Sequence, residues 1–187
     1  MNKEEIEAKL KELGVENYII FDDGSVNVNG TADISFRELT EIPVQFAEVK
    51  GDFNCSNNKL ESLKGAPRSV GVSFFCHENR LTTLEEGPEA VGKAFVCSNN
   101  RLTSLKGAPK TINGSFNCSG NQLVSLEGAP ELVNGIFDCT DNHLNTLEGL
   151  SKYIKRVLYC SGNRIPRNVI IEYQRISPFL IISDEDE

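Results

Sequence analysis

Six cysteines, Cys55, Cys76, Cys97, Cys118, Cys139 and Cys160, follow one another at intervals of 21 residues, with no insertion. The stretch around the first, FNCSNNKLESLKGAP at 53–67, returns as FFCHENRLTTLEEGP at 74–88 and FVCSNNRLTSLKGAP at 95–109. It returns again as FNCSGNQLVSLEGAP at 116–130, FDCTDNHLNTLEGLS at 137–151 and, truncated, LYCSGNRIP at 158–166. A decayed copy precedes them. Leu39 and Ile42 stand one period before Leu60 and Leu63, and Val28 and Gly30 one period before Val49 and Gly51. Ile34 fills the cysteine place there, so that column asks for bulk. One such unit is too short to bury its own apolar residues. Units of fixed length therefore stack, each covering its neighbour, as a solenoid.

Within a unit, Phe74 and Cys76 are two apart and share one face of a strand. Three residues after each cysteine comes an Asn: Asn58, Asn79, Asn100, Asn121, Asn142 and Asn163. Its amide can satisfy backbone groups where the chain leaves the strand, so the stack predicts an internal Asn ladder. Leu81 and Leu84 then turn inward, and Val70, Val91, Ile112, Val133 and Ile154 re-enter the core. Gly-Ala-Pro at 65–67, 107–109 and 128–130 discourages helix, and the return path is too short for one. The expected fold is a leucine-rich-repeat solenoid with a 21-residue period. It has a curved parallel β-sheet on the concave side, mostly turns and extended chain on the convex side, and helical caps.

The expected organisation is an N-terminal cap over 1–25, repeats over 26–165 and a C-terminal cap over 166–187. Asn2 is placed to cap a first helix with Glu4 and Glu5 in its first turn; Ile6, Leu10 and Leu13 form its apolar stripe, and Gly14 ends it. A hairpin is expected around Asp22, Asp23 and Gly24. At the far end Pro166 opens a helix, Ile170, Ile171 and Tyr173 cover the last rung, and Pro178 stops it. Residues 179–182 supply a final apolar strap before an acidic end at 183–187.

Charge is unevenly placed. Residues 1–49 carry 4 Lys/Arg against 11 Asp/Glu, residues 50–165 carry 13 against 11, and residues 166–187 carry 2 against 5. Composition supplies no basic face for phosphates, so a nucleic-acid partner is not expected. The first residues contain no apolar leader segment, and no run is long and apolar enough to span a membrane. A reducing cytoplasm is the expected setting, with the cysteines buried as small hydrophobes rather than paired.

Catalytic and metal chemistry find no pattern here. Every cysteine spacing is 21, so no Cys-x2-Cys zinc pair exists. His77 and His143 are the two histidines, and neither has a nucleophile at a motif spacing. Cys76 and His77 face opposite ways if the strand alternates. No phosphate-binding loop occurs. The chain is read as a non-enzyme without cofactor or metal.

The surface remains. The outward columns are Asn54, Phe75, Val96, Asn117, Asp138 and Tyr159, then Ser56, His77, Ser98, Ser119, Thr140 and Ser161, and, before each Phe, Asp52, Ser73, Ala94, Ser115, Ile136 and Val157. Most are small and polar. Phe75 and Val96 form one apolar exception; Ile136, Val157 and Tyr159 form another. Apolar groups with a polar rim suggest a protein contact. A further column, Lys59, Arg80, Arg101, Gln122, His143 and Arg164, is mostly cationic. Glu61 and Glu78 are expected to offset it; otherwise it meets an acidic partner or a phosphate backbone. The candidate partner-binding residues are thus Asn54, Phe75, His77, Val96, Asn117, Ile136, Asp138, Val157, Tyr159, Arg80 and Arg101.

The pattern Val-x3-Phe-x-Cys-x2-Asn-x-Leu-x2-Leu resembles a short bacterial-type leucine-rich repeat. The whole stretch 4–165 is similar to a group of bacteriophage-encoded repeat proteins. Those open likewise with a short helix, an Asn-Tyr-x-Ile stretch (here 17–20), an acidic turn (22–24) and a Val-x-Val-x-Gly segment (26–30). The resemblance implies the fold. It also implies a host or phage protein as partner, with inhibition of a host defence protein as a use. Bacterial effectors that join similar repeats to a ubiquitin-ligase domain need a domain for which this chain has no room. The alternatives are nucleic-acid binding or mimicry, and a structural part of a larger assembly.

Overall fold

A computed structural model describes residues 1–176 and 181–183. The chain is a β-solenoid of stacked, in-register rungs with a helix near each end. Pairing follows the sequence period: Phe53 sits beside Phe74, Phe74 beside Phe95, Phe95 beside Phe116 and Phe116 beside Phe137. The rings form a continuous internal stack from Phe46 to Phe137, with centroids 5.0–5.7 Å apart. Each is wholly buried, and each buried ring contributes about 1.5–3 kcal/mol by leaving water.

Two parallel ladders run along the solenoid. The Phe sheet, in spatial order, is Ala32–Asp33, Phe53–Asn54, Phe74–Phe75, Phe95–Val96, Phe116–Asn117, Phe137–Asp138, Val157–Tyr159 and Ile181–Ser183. The Val sheet is Tyr18–Ile20, Val26–Val28, Phe46–Val49, Ser69–Val70, Ala90–Val91, Thr111–Ile112, Leu132–Val133 and Tyr153–Ile154. The return side therefore holds more than turns. Each re-entering Val or Ile brings a second short strand with it, because an in-register stack offers its backbone a partner one rung away. Most of these strands are two residues long, too short to show an alternating pattern.

The interior columns are filled as the period requires. Cys55, Cys76, Cys97, Cys118 and Cys139 are fully buried thiols, as is Ile34 in the first rung. Several cysteines also donate weakly to a carbonyl of the next rung, as Cys97 Sγ does to Asn117 O at 3.3 Å. Burial pushes the thiols of Cys76, Cys118 and Cys139 well up from their ordinary value. The Asn ladder forms. Asn100 Nδ2 donates to Cys76 O (3.0 Å) and Cys97 O (3.1 Å), and its Oδ1 accepts from Leu81 N (2.9 Å). Each Asn thus ties its own rung to the one before.

The turns use left-handed backbone at two places per unit. One column, Asn57, Asn99 and Asp141 with Gly120 and Gly162, has φ of 53–66°. These residue types tolerate that region. Phe36 and Glu78 hold the same place with φ 54°, where no such tolerance exists.

The helix Lys3–Glu12 (α1) is capped by Asn2, whose Oδ1 accepts from Glu5 N while Glu5 returns to Asn2 N, both at 2.9 Å. Ile6, Leu10 and Leu13 are buried on the first rung, and Gly14 leaves the helix at φ 67°. Arg37 donates to Glu12 O and Leu13 O at the helix end. The hairpin pairs Tyr18–Ile20 with Val26–Val28 antiparallel, with Gly24 at φ 82°. The second helix, Arg167–Ile176 (α2), begins just after Pro166. Ile170 is buried and Tyr173 Oη donates to Leu147 O at 3.0 Å. Ile171, expected in that contact, is 48% exposed. One residue beyond Ile170 turns about 100° round the helix, whereas Tyr173, three residues on, returns to its face. Val169 packs in its stead. Of the expected strap, Ile181 and Ile182 lie in a strand parallel to Val157–Tyr159. The expected helix stop at Pro178, the strap at 179–180 and the acidic end at 184–187 lie outside the described residues.

Candidate functional site

The outer face of the Phe sheet is built by a local rule. An Asn or Asp stands two residues before a Ser or Thr and accepts from both its backbone N–H and its hydroxyl. Asp33 does this for Ser35, Asn54 for Ser56, Asn117 for Ser119 and Asp138 for Thr140, with O···O distances of 2.6–2.8 Å. This is Asx-turn chemistry, and it serves the turn that leaves each strand. Asn54, Asn117 and Asp138 therefore have a structural use. Asn117 Nδ2 also donates to Asp138 Oδ2 at 3.1 Å.

Three rungs abandon the rule: the last, with Tyr159 before Ser161, and two consecutive ones within the face. Phe75 and His77 replace the pair in one, and Val96 and Ser98 in the next. Phe75 and Val96 are register partners, and both are half-buried. The His77 ring meets the Phe75 ring edge-on, with centroids 6.3 Å apart. His77 Nδ1 is buried and has no hydrogen-bond partner. Burial holds the imidazole below its usual value of 6.5, and the Glu78 carboxylate pulls weakly the other way.

The corner before each Phe follows a second rule. A side-chain oxygen accepts from the backbone N–H one period on: Thr31 from Asp52, Asp52 from Ser73, Ser73 from Ala94 and Ser115 from Ile136. Ala94 and Ile136 cannot continue it. Ile136 and Val157 are half-buried and Tyr159 is 37% exposed. The strand Ile181–Ser183 extends the sheet beside Val157 and Tyr159. These three form a separate group at the C-terminal end of the face.

Past the Asn ladder, Lys59 pairs with Glu38. Arg80 and Arg101 are exposed and form no ion pair among the described residues. Neither Glu61 nor Glu78 forms an ion pair with this column among the described residues. Glu78 is engaged instead by Asn99 Nδ2 at 2.8 Å.

Phe36 was outside the sequence reading. It is 76% exposed at φ 54°, one period before Asn57, at the N-terminal end of the Phe sheet. Its left-handed backbone is strained by about 1–2 kcal/mol. The signal was present, since an aromatic stands in a column of Asn, Asp and Gly.

Elsewhere a groove of about 900 Å³ runs beside the Val sheet. It is lined by Asp23, Glu85, Glu86 and Glu89 with Lys64 and Arg68, so carboxylates outnumber cations there. Among the described residues no group of His, Cys, Asp and Glu could hold a metal ion, and no helix is long and apolar enough to cross a membrane. No protein-family model matches the chain, and no curated protein matches it.

Proposed function

We propose that the chain is a non-enzymatic binding module that holds another protein on the outer face of the Phe sheet. One observation carries this reading. The face is paved with self-satisfied Asn/Asp and Ser/Thr pairs, and the paving stops at Phe75, His77 and Val96. The rule is kept on four rungs and dropped at the terminal Tyr159 and on two adjacent rungs within the face, where it leaves an apolar spot with a polar rim on both sides, the composition of an interface core. Phe36, strained and exposed, lies on the same side as a second anchor. The phage-type resemblance supports a host or phage protein as the partner, a cytoplasmic setting, and inhibition of a host defence protein as the use.

The test is capture from bacterial lysate by the immobilised chain, beside a Phe75→Asp/Tyr159→Asp variant whose fold is checked by circular dichroism. A protein held by the wild type and lost by the folded variant supports the reading. A protein held equally by both moves the site off this face. Retained nucleic acid in place of protein overturns the reading.

A further inference from the structure

Rungs in register stack each side chain on its counterpart about 4.8 Å away along the ladder. A column of one sign is then a row of repelling charges. The chain meets this problem in three columns and solves it throughout one and along most of a second. Arg68, Glu89, Lys110, Glu131 and Lys152 follow one another at the repeat spacing with strictly alternating sign. Lys64, Glu85, Lys106 and Glu127 also alternate, with Lys106 closing on Glu85 at 2.8 Å, until Glu148 repeats the sign of Glu127 at the last rung. The third column begins the same way, with Glu38 paired to Lys59. It then places Arg80 and Arg101 on consecutive rungs with no carboxylate between them. The acid nearest in sequence, Glu78, is held by Asn99. These are the two rungs on which Phe75 and Val96 replace the polar pairs. The break in charge alternation and the break in surface polarity coincide.

We propose that this rung pair receives an acidic segment of the partner protein. Its carboxylates lie on the Arg80 and Arg101 guanidiniums, and an apolar side chain sits on Phe75 and Val96. This rests on the protein-binding reading and adds the partner's chemistry to it. Guanidinium suits the task because its fork takes a carboxylate through two hydrogen bonds. A phosphate backbone would use the same guanidiniums. However, the chain carries a net charge of −8, which opposes a long polyanion, while a short acidic segment need meet only the local pair.

The experiment uses the full chain and three probes: a short Asp/Glu peptide with a central Leu-Phe, its Asn/Gln counterpart, and a short DNA duplex. Binding is followed by amide chemical shifts. The acidic peptide should bind, shifting the amides of Phe75, His77, Val96 and Arg101, and the Asn/Gln peptide should bind at least about tenfold more weakly. Arg80→Glu/Arg101→Glu should lose the acidic peptide while melting no lower than wild type. Lys110→Glu, on an alternating column, should leave binding unchanged. Equal binding of both peptides, equal loss with Lys110→Glu, or tighter binding of the duplex would overturn the proposal. A captured protein that Phe75→Asp loses but Arg80→Glu/Arg101→Glu keeps would sink the acidic assignment alone. One that Phe75→Asp keeps would sink the binding face itself.

Discussion

The inner and outer columns of this solenoid obey different constraints, although both advance by the same period. Every inner position meets the same surroundings on each rung, so Phe, Cys, Asn and Leu recur with little change. Outer positions meet water and are free to vary. Even so, most follow rules: an Asn or Asp before a Ser or Thr, an oxygen at the corner, alternating charge. The lesson is that repetition alone does not mark function here. Inside, it reports packing. Outside, it reports local satisfaction, and departures from it are where a partner has room to act.

The strongest way to break the inner side of this comparison is Asn100→Ala. It would strand Leu81 N–H in the core, while the Cys76 and Cys97 carbonyls each lose one of two donors and keep Asn79 and Asn121. At about 1–3 kcal/mol for one unsatisfied buried donor, with the direct tie between the two rungs also cut, a loss of about 2–3 kcal/mol is expected. The outer neighbour gives the contrast. Asn99→Ala loses a surface bond to Glu78 and leaves Ala at φ 53°, for about 1 kcal/mol. Urea midpoints of the two variants should differ by most of that gap. Equal losses would mean that the ladder is not what ties the rungs.

The outer rules can be broken more gently. Glu131→Lys sets a cation between Lys110 and Lys152. It should lower stability by roughly 0.5 kcal/mol at low salt, with the loss shrinking as salt is added. Arg80→Glu does the reverse, restoring alternation from Lys59 to Arg101, and should raise stability by a similar amount. If both changes destabilise alike, alternation has no energetic meaning and the third column is not exceptional.

Much of this was legible in the sequence, for a physical reason. A strict period fixes which residues stack, so the Phe, Cys, Asn and Leu columns and the capping helices follow from counting. The second sheet was not legible, because strands such as Ser69–Val70 are too short to alternate and exist only through the neighbouring rung. Ile171 was misplaced because an apolar residue beside Ile170 does not share its helix face. Asn54, Asn117 and Asp138 read as binding candidates until their oxygens were seen to be occupied by Ser56, Ser119 and Thr140. The charge alternation and the oddity of Phe36 needed only the same period applied to the outer columns. The unpaired state of Arg80 did not follow from spacing, since Glu78 lies close in sequence and turns to Asn99 instead.

The smallest effect concerns His77, which stands where other rungs have a Ser or Thr. Its imidazole is held below the usual 6.5 because burial disfavours the charged form and no group accepts from Nδ1. Ser56 and Ser98 stand one period to either side of it, and the charge that acts on it is the Glu78 carboxylate. The unfolded chain binds the proton more readily than the folded one. Stability from this residue is therefore complete above about pH 6.5 and falls as the pH drops below it. The decline levels off once the folded imidazole also protonates. Comparing urea midpoints at about pH 7.5 and about pH 5.5 should show a drop for wild type that is smaller in His77→Gln. An identical drop in both would assign the pH dependence to the carboxylates. A drop confined to wild type would show that a titratable ring has been set into the same two rungs where the surface rules lapse.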